Sequence, residues 1–121
     1  MKDHIIASAL ARDRTKFLEE LPKSLHELQA LRRQVELGVS LKDASGEIGL
    51  IAHRLSGTAA TLGFQDLGAA ASGLEALTTR RTSPDILPDD LLPHLDRLLG
   101  LMQTALDPHD HARLASSQKA G

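Results

Sequence analysis

The chain has 121 residues, which is enough for one hydrophobic core and too few for two domains. It has only two aromatic residues, no cysteine and abundant leucine and alanine, so its composition favours helices, excludes thiol chemistry and fits a reducing cytoplasm. The net charge of −2 argues against a nucleic-acid partner, and no apolar run is long enough for a membrane span or a signal peptide.

The first apolar pattern predicts helical structure that ends near Gly38, a residue suited to a helix terminus. The pattern repeats at spacings of three and four, at Phe17, Leu21, Leu25, Leu28, Leu31 and Val35. Pro22 lies inside it. This proline either kinks one long helix or occupies the first turn of a new one, with residues 3–20 forming a separate short helix, and both alternatives stay open.

A second helix is predicted from about Leu41 to Leu62, ending at Gly63. We expect Ser40 to cap its start, with Asp43 completing a weak capping box. Its buried stripe is predicted to consist of Ile48, Ala52, Leu55, Ala59 and Leu62.

His53 lies off that stripe, roughly 140° from its centre at about 100° per residue. The other residues on its face are small, namely Gly46, Gly49, Ser56, Gly57 and Ala60. Glycine inside a helix costs about 0.8 to 1 kcal/mol relative to alanine. We therefore interpret these glycines as room for a partner near His53 rather than as aids to contact between helices. This pattern predicts a nucleophile that passes a group between proteins, and the alternative is an ordinary solvated histidine.

A third helix is predicted to start near Gln65, and its buried positions are Leu67, Ala70, Ala71, Leu74 and Leu77. Residues 79–88 contain two prolines and predict a loop, after which Asp89 or Asp90 opens the last helix. That helix carries Pro93 near its first turn and an apolar stripe at Leu91, Leu95, Leu98, Met102 and Ala105.

Short connections between four helices predict an all-α fold, an antiparallel up-down-up-down four-helix bundle with or without a short extra N-terminal helix. The bundle is expected to span residues 1–107, and residues 108–121 are expected to form a flexible C-terminal tail. Metal-type side chains from Asp107 to His111 lack a fixed scaffold, so we predict no metal site. His4, His26 and His94 are interpreted as surface residues.

The segment around His53 reads Ala-His-Arg-Leu-Ser-Gly-Thr-Ala-Ala-Thr-Leu-Gly-Phe over 52–64, followed by Leu67 and then Leu74-Glu75. This segment resembles the signature of histidine phosphotransfer (HPt) domains. The family pattern is A-H-x-L-K-G-x-A-x-x-L-G, then L, then L-E. The segment from Phe17 to Leu28 also resembles the family's first helix, so the resemblance covers roughly residues 10–106.

The resemblance implies a phosphocarrier of a two-component phosphorelay, with His53 as phosphoacceptor and Glu75 orienting the imidazole. The implied partners are response-regulator receiver domains and a hybrid histidine kinase. We expect no stably bound cofactor, with Mg²⁺ supplied by the receiver domain during transfer. The implied docking surface consists of Gly49, Arg54, Gly57, Ala60, Gly68 and Ser72. A monomer is expected, and because no nucleotide-binding or kinase motif is visible, we expect no autophosphorylation from ATP.

One position departs from the family pattern, since Ser56 stands where the pattern has lysine. A lysine there would place a positive charge near the transferring phosphoryl group. Arg54 is a weaker substitute, because it projects about 100° round the helix from His53. The absent lysine supports an alternative, an HPt-like module that binds a receiver or kinase without accepting phosphate. An unrelated helical adaptor is a second alternative.

Overall fold

The computed structural model describes residues 2–79 and 87–107, with side chains from residue 8 onward. It contains four helices, α1 (Lys2–Leu37), α2 (Leu41–Thr61), α3 (Gln65–Thr79) and α4 (Pro88–Leu106). The predicted all-α four-helix bundle is confirmed. The described residues do not include most of the loop predicted over 79–88. They also do not include the tail predicted over 108–121. No helix in the described ranges is long and apolar enough to cross a membrane.

Each helix packs against its two neighbours, α1 on α2, α2 on α3, α3 on α4 and α4 on α1. The shared core is mainly leucine, and all five residues of the stripe predicted on α2 are buried. On α3 the burial is narrower than predicted, because Ala70 and Leu77 are only partly buried. The bundle therefore has the leucine core that the apolar spacing indicates, and α2 turns its other face to solvent.

Helix α1 runs through Pro22 without interruption, so the first of the two alternatives for this segment, one long helix, is correct. Pro22 is exposed. Proline has no N–H, so one carbonyl in the preceding turn of the helix has no backbone donor. Because Pro22 faces solvent, water can donate to that carbonyl instead. With 36 residues, α1 is much longer than the 21-residue α2.

Glycines with positive φ end α1 and α2, as predicted. Gly38 has a φ of 68° and Gly63 a φ of 93°, values that side-chain-bearing residues seldom adopt. After each of these helices the backbone closes in the same way, with Val39 N–H bonded to the Gln34 carbonyl and Phe64 N–H bonded to the Ala59 carbonyl. These are Schellman closures, which satisfy the last free carbonyls of a helix.

The predicted helix starts need two corrections. Ser40 has a left-handed backbone, with φ 47° and ψ 50°, and its side chain makes no capping hydrogen bond. A capping serine needs extended backbone angles, and the tight turn after Gly38 does not supply them. Helix α4 begins at Pro88 rather than at an aspartate, with Leu87 as its N-terminal cap residue. Proline suits a first helical position, because its φ is already helical and its missing N–H would be unpaired there.

Side-chain contacts outside the leucine core also attach α1 to the rest of the bundle. The rings of Phe17 and Phe64 lie 5.3 Å apart between centroids, and the Arg14 guanidinium lies 5.3 Å from the Phe64 ring centroid. Further along, Arg32 donates from Nε to Asp96 Oδ1 at 2.5 Å and from Nη2 to Asp96 Oδ2 at 3.2 Å. This hydrogen bonding from Arg32 holds the pKa of the Asp96 carboxyl below its ordinary value.

Helices α2 and α3 meet at two glycines that have no room for a side chain. A Cβ atom on Gly49 would lie 2.4 Å from Thr78 Oγ1 and 3.2 Å from Thr78 Cβ. A Cβ atom on Gly68 would lie 3.1 Å from the Ala60 backbone nitrogen. The interpretation of Gly49 as an outward residue is therefore wrong, since it allows close contact between helices. Gly57 differs, because a Cβ atom there would meet nothing within 4 Å.

We predict opposite stability effects for alanine at these two positions of α2. At Gly49, overpacking costs about 1 to 3 kcal/mol against a gain in helix propensity of about 1 kcal/mol, so the free energy of unfolding should fall. Thr78 cannot easily rotate away, because it is β-branched and its hydroxyl donates to the Glu75 carbonyl at 2.8 Å. At Gly57 only the gain in helix propensity applies, so the free energy of unfolding should rise. Urea unfolding of Gly49→Ala and Gly57→Ala tests this, and equal stabilisation of both would contradict the contact.

Candidate functional site

His53 stands on the outward face of α2, and its side chain is 70% exposed. Its backbone is held within a regular helix whose opposite face is buried, because Ala52 and Leu55 on either side belong to the core. The imidazole is therefore carried on a rigid element while its ring remains open to solvent. This exposure agrees with the position off the apolar stripe that the sequence indicates.

Glu75 on α3 contacts the imidazole directly. Its Oε1 lies 2.7 Å from His53 Nδ1, and the Glu75 side chain is 27% exposed. A carboxylate accepts hydrogen bonds, so Nδ1 carries the proton and its N–H donates a hydrogen bond to Glu75 Oε1. In that tautomer Nε2 holds the free lone pair, and Nε2 has no hydrogen-bond partner among the described residues.

Ser56 does not point its hydroxyl proton toward the imidazole ring. Its Oγ donates to the backbone carbonyl of His53 at 2.8 Å, and the residue is half-buried. A serine hydroxyl has a single proton, so in this arrangement it has none left to donate to a group on Nε2. Ser56 lies beside the site as expected, and its hydrogen-bonding capacity is already used by its own helix.

The six residues expected on a docking surface divide into two groups. Arg54, Gly57, Ala60 and Ser72 are exposed. Gly49 and Gly68 are buried between α2 and α3, so their predicted place on the surface is wrong. The physical reason is that α3 packs close against the side of α2 next to His53, where the sequence predicted solvent.

Leu50 is a surface residue that the sequence interpretation missed. It is 66% exposed, and at about 100° per residue it projects only about 60° from His53. The signal was present in the sequence, because an apolar residue three positions before His53 must share its face and cannot belong to the buried stripe. Leu50 adds apolar area to a face otherwise made of small residues.

An open groove of about 750 Å³ runs between α1 and α2 beside this face. Residues of α2 that line it include His53, Arg54 and Gly57, and the charged residues of α1 that line it are Asp13, Lys16 and Glu20. Among the residues with described positions, no group of three or more histidine, aspartate or glutamate side chains is placed to hold a metal ion. The charges of the groove are thus mixed, and its arginine, Arg54, directly follows His53 on α2.

Among the exposed histidines of the described residues, His53 has its Nδ1 held by a carboxylate from the neighbouring helix, an arrangement suited to carrying a group on the other ring nitrogen. The model of one known protein family, the Hpt domain, matches residues 14–107 of this chain. The chain therefore belongs to the Hpt domain family, the histidine phosphotransfer modules of phosphorelays, which interact with receiver domains and kinases. Searches of curated proteins and of solved structures found no match.

We predict that Glu75 determines which ring nitrogen of His53 carries the proton. At a pH where the ring is neutral, the wild-type protein should show the Nδ1–H form, because a carboxylate accepts that proton. Glu75→Ala should shift the ring toward Nε2–H. Ring ¹⁵N chemical shifts of His53 distinguish the two forms, with exposed His94 as an internal reference. An unchanged His53 tautomer in Glu75→Ala would contradict the assignment.

Proposed function

We propose that His53 accepts a phosphoryl group from, and returns it to, the aspartate of a response-regulator receiver domain. The observation that supports this most directly is the 2.7 Å contact between His53 Nδ1 and Glu75, because it leaves Nε2 as the nucleophile on an exposed ring. The small residues on its face leave space for a second protein.

In the forward step the Nε2 lone pair attacks the phosphorus atom of the receiver's phosphoaspartate. The Nε2–P bond forms as the bond from phosphorus to the carboxylate oxygen breaks, and the aspartate leaves as a free carboxylate. The imidazole then carries a positive charge, and its Nδ1–H remains bonded to Glu75. The carboxylate stabilises that charge and keeps the ring oriented, and orientation is what phosphoryl transfer chiefly requires of a protein.

The docking surface that we propose surrounds His53 on α2 and extends to α3. Gly57 and Ala60 leave its centre flat, Leu50 provides an exposed apolar side chain, and Ser72 contributes from α3. We propose that the receiver brings Mg²⁺ to the transferring group. The carrier is proposed to act as a monomer in the cytoplasm, and a hybrid histidine kinase is proposed as a further partner.

A second candidate is a module that binds a receiver domain without accepting phosphate. The observation that favours it is Ser56, which offers neither a positive charge nor a free hydroxyl proton to a phosphoryl group. A test for acid-labile phosphate distinguishes the phosphocarrier from the module that only binds. Stable binding of a receiver domain without acid-labile phosphate on the wild-type chain would select the second.

We predict that His53→Gln keeps the fold and loses all acid-labile phosphate. The side chain lies off the core, so helix content and thermal unfolding should match the wild type, whereas exposed His26 and His94 have no carboxylate among the described residues that holds Nδ1. The test incubates each protein with phosphoramidate and, separately, with a purified receiver domain phosphorylated by acetyl phosphate. Glu75→Ala is the control, and it should accept phosphate about 10- to 100-fold more slowly, since a hydrogen bond to a charged group contributes about 1.5 to 3 kcal/mol. Retained acid-labile labelling of His53→Gln would exclude His53 as acceptor.

We predict that Gly57→Gln separates docking from chemistry. The position is open, so the variant should fold and unfold at the wild-type temperature or above it, because glutamine forms helices better than glycine. The longer side chain should prevent a receiver from approaching His53, and transfer from a phosphorylated receiver should fall steeply. Labelling by phosphoramidate, which needs less room, should largely remain. Normal transfer from the receiver would show that the glycine is not part of the docking surface.

A further inference from the structure

The groove beside His53 contains one arginine next to the nucleophile. Arg54 is exposed and lines the same groove as His53 and Gly57. Among the residues that the structure describes, its guanidinium has no ion pair or hydrogen bond. Because the Arg54 guanidinium has no such partner, it is available to a ligand that enters the groove.

We propose that Arg54 binds the phosphoryl oxygens during transfer and supplies the positive charge that the reaction needs, an inference that rests on the proposed function of His53. A phosphoryl group in transfer carries negative charge on its equatorial oxygens, and a fixed cation beside them lowers the barrier. The planar guanidinium can donate two parallel hydrogen bonds to those oxygens. Arg54 and His53 project about 100° apart round α2, but both line the same groove, where the long arginine side chain has no other partner among the described residues.

The other groups around the groove do not supply this charge. Ser56 gives its proton to the His53 carbonyl, and Asp13 and Glu20 are anionic. Lys16 also lines the groove, but its neighbour Phe17 packs against Phe64, beyond the end of α2. That end lies at least two helical turns, about 11 Å, from His53. Arg54 is thus the cation that lines the groove from α2 itself, directly after His53 in the chain.

The test measures initial rates of His53 phosphorylation by phosphoramidate, which requires no partner protein. Nε2 attacks phosphorus, the P–N bond of the donor breaks and ammonia leaves. Arg54→Gln should react about 10- to 100-fold more slowly, the loss expected when a hydrogen bond to a charged group is removed. Arg54→Lys should recover part of that rate, because lysine restores the charge without the bidentate geometry. Arg33→Gln removes the same charge from an exposed position of α1 and should react at the wild-type rate.

Ser56→Lys provides an independent measurement, because it adds a cation on the other side of His53. In the Arg54→Gln background, Ser56→Lys should raise the phosphorylation rate at least tenfold. In the wild type it should change that rate by less than about threefold, since Arg54 already supplies the charge. Thermal unfolding of every variant verifies the fold.

Several outcomes overturn the proposal for Arg54. One is an Arg54→Gln variant that reacts at the wild-type rate. Another is an equal loss of rate in Arg33→Gln, which would indicate a general effect of net charge. A large acceleration by Ser56→Lys in the wild type would show that the site lacks a cation. Failure of the proposed function is distinguishable, because the wild-type chain would then gain no phosphate on His53 from a phosphorylated receiver domain, a reaction measured separately from the phosphoramidate rates.

Discussion

The close approach of α3 to α2 is the constraint on which the site depends. Glu75 reaches the imidazole at 2.7 Å only because Gly49 and Gly68 let the two helices come together on either side of that contact. A side chain at either glycine would have to displace Thr78 or the backbone at Ala60. Packing and chemistry are therefore coupled, since any change that separates the helices also removes the carboxylate from Nδ1.

Helix α2 has a buried side that packs in the core and an exposed side that carries His53. One side buries Ile48, Ala52, Leu55 and neighbouring apolar residues in the core. The opposite side presents His53 between Leu50 and Gly57, both of them exposed. Burial of the first side makes the helix rigid, so the imidazole needs no support from a partner to keep its position. The second side can then consist of residues that contribute little to stability.

The electrostatic arrangement of the site is asymmetric. Glu75 from α3 contacts Nδ1 from one side, and Arg54 opens onto the groove toward α1 on the other. A carboxylate suits the nitrogen that keeps its proton, whereas a guanidinium suits the oxygens of a group on Nε2. The proposed division of roles gives each charge the partner of opposite sign, although Ser56 contributes no charge of its own.

The sequence by itself determined the fold class, the number of helices and the exposure of His53. Each follows from apolar residues spaced three and four apart, because a helix turns by a constant angle per residue and its buried side can be counted along the chain. The glycines Gly38 and Gly63 likewise marked two helix ends, since positive φ is a local property.

Only the tertiary structure decided which glycines face solvent and which face another helix. Gly49 and Gly57 lie on the same predicted face of α2, yet one is pressed against Thr78 and the other is open. The continuity of α1 through Pro22 and the left-handed backbone of Ser40 were also beyond local patterns. Periodicity defines a direction around one helix, and it carries no information about where a second helix will pack. The position of α3 follows from the bundle as a whole, because it depends on how all four apolar faces fit together.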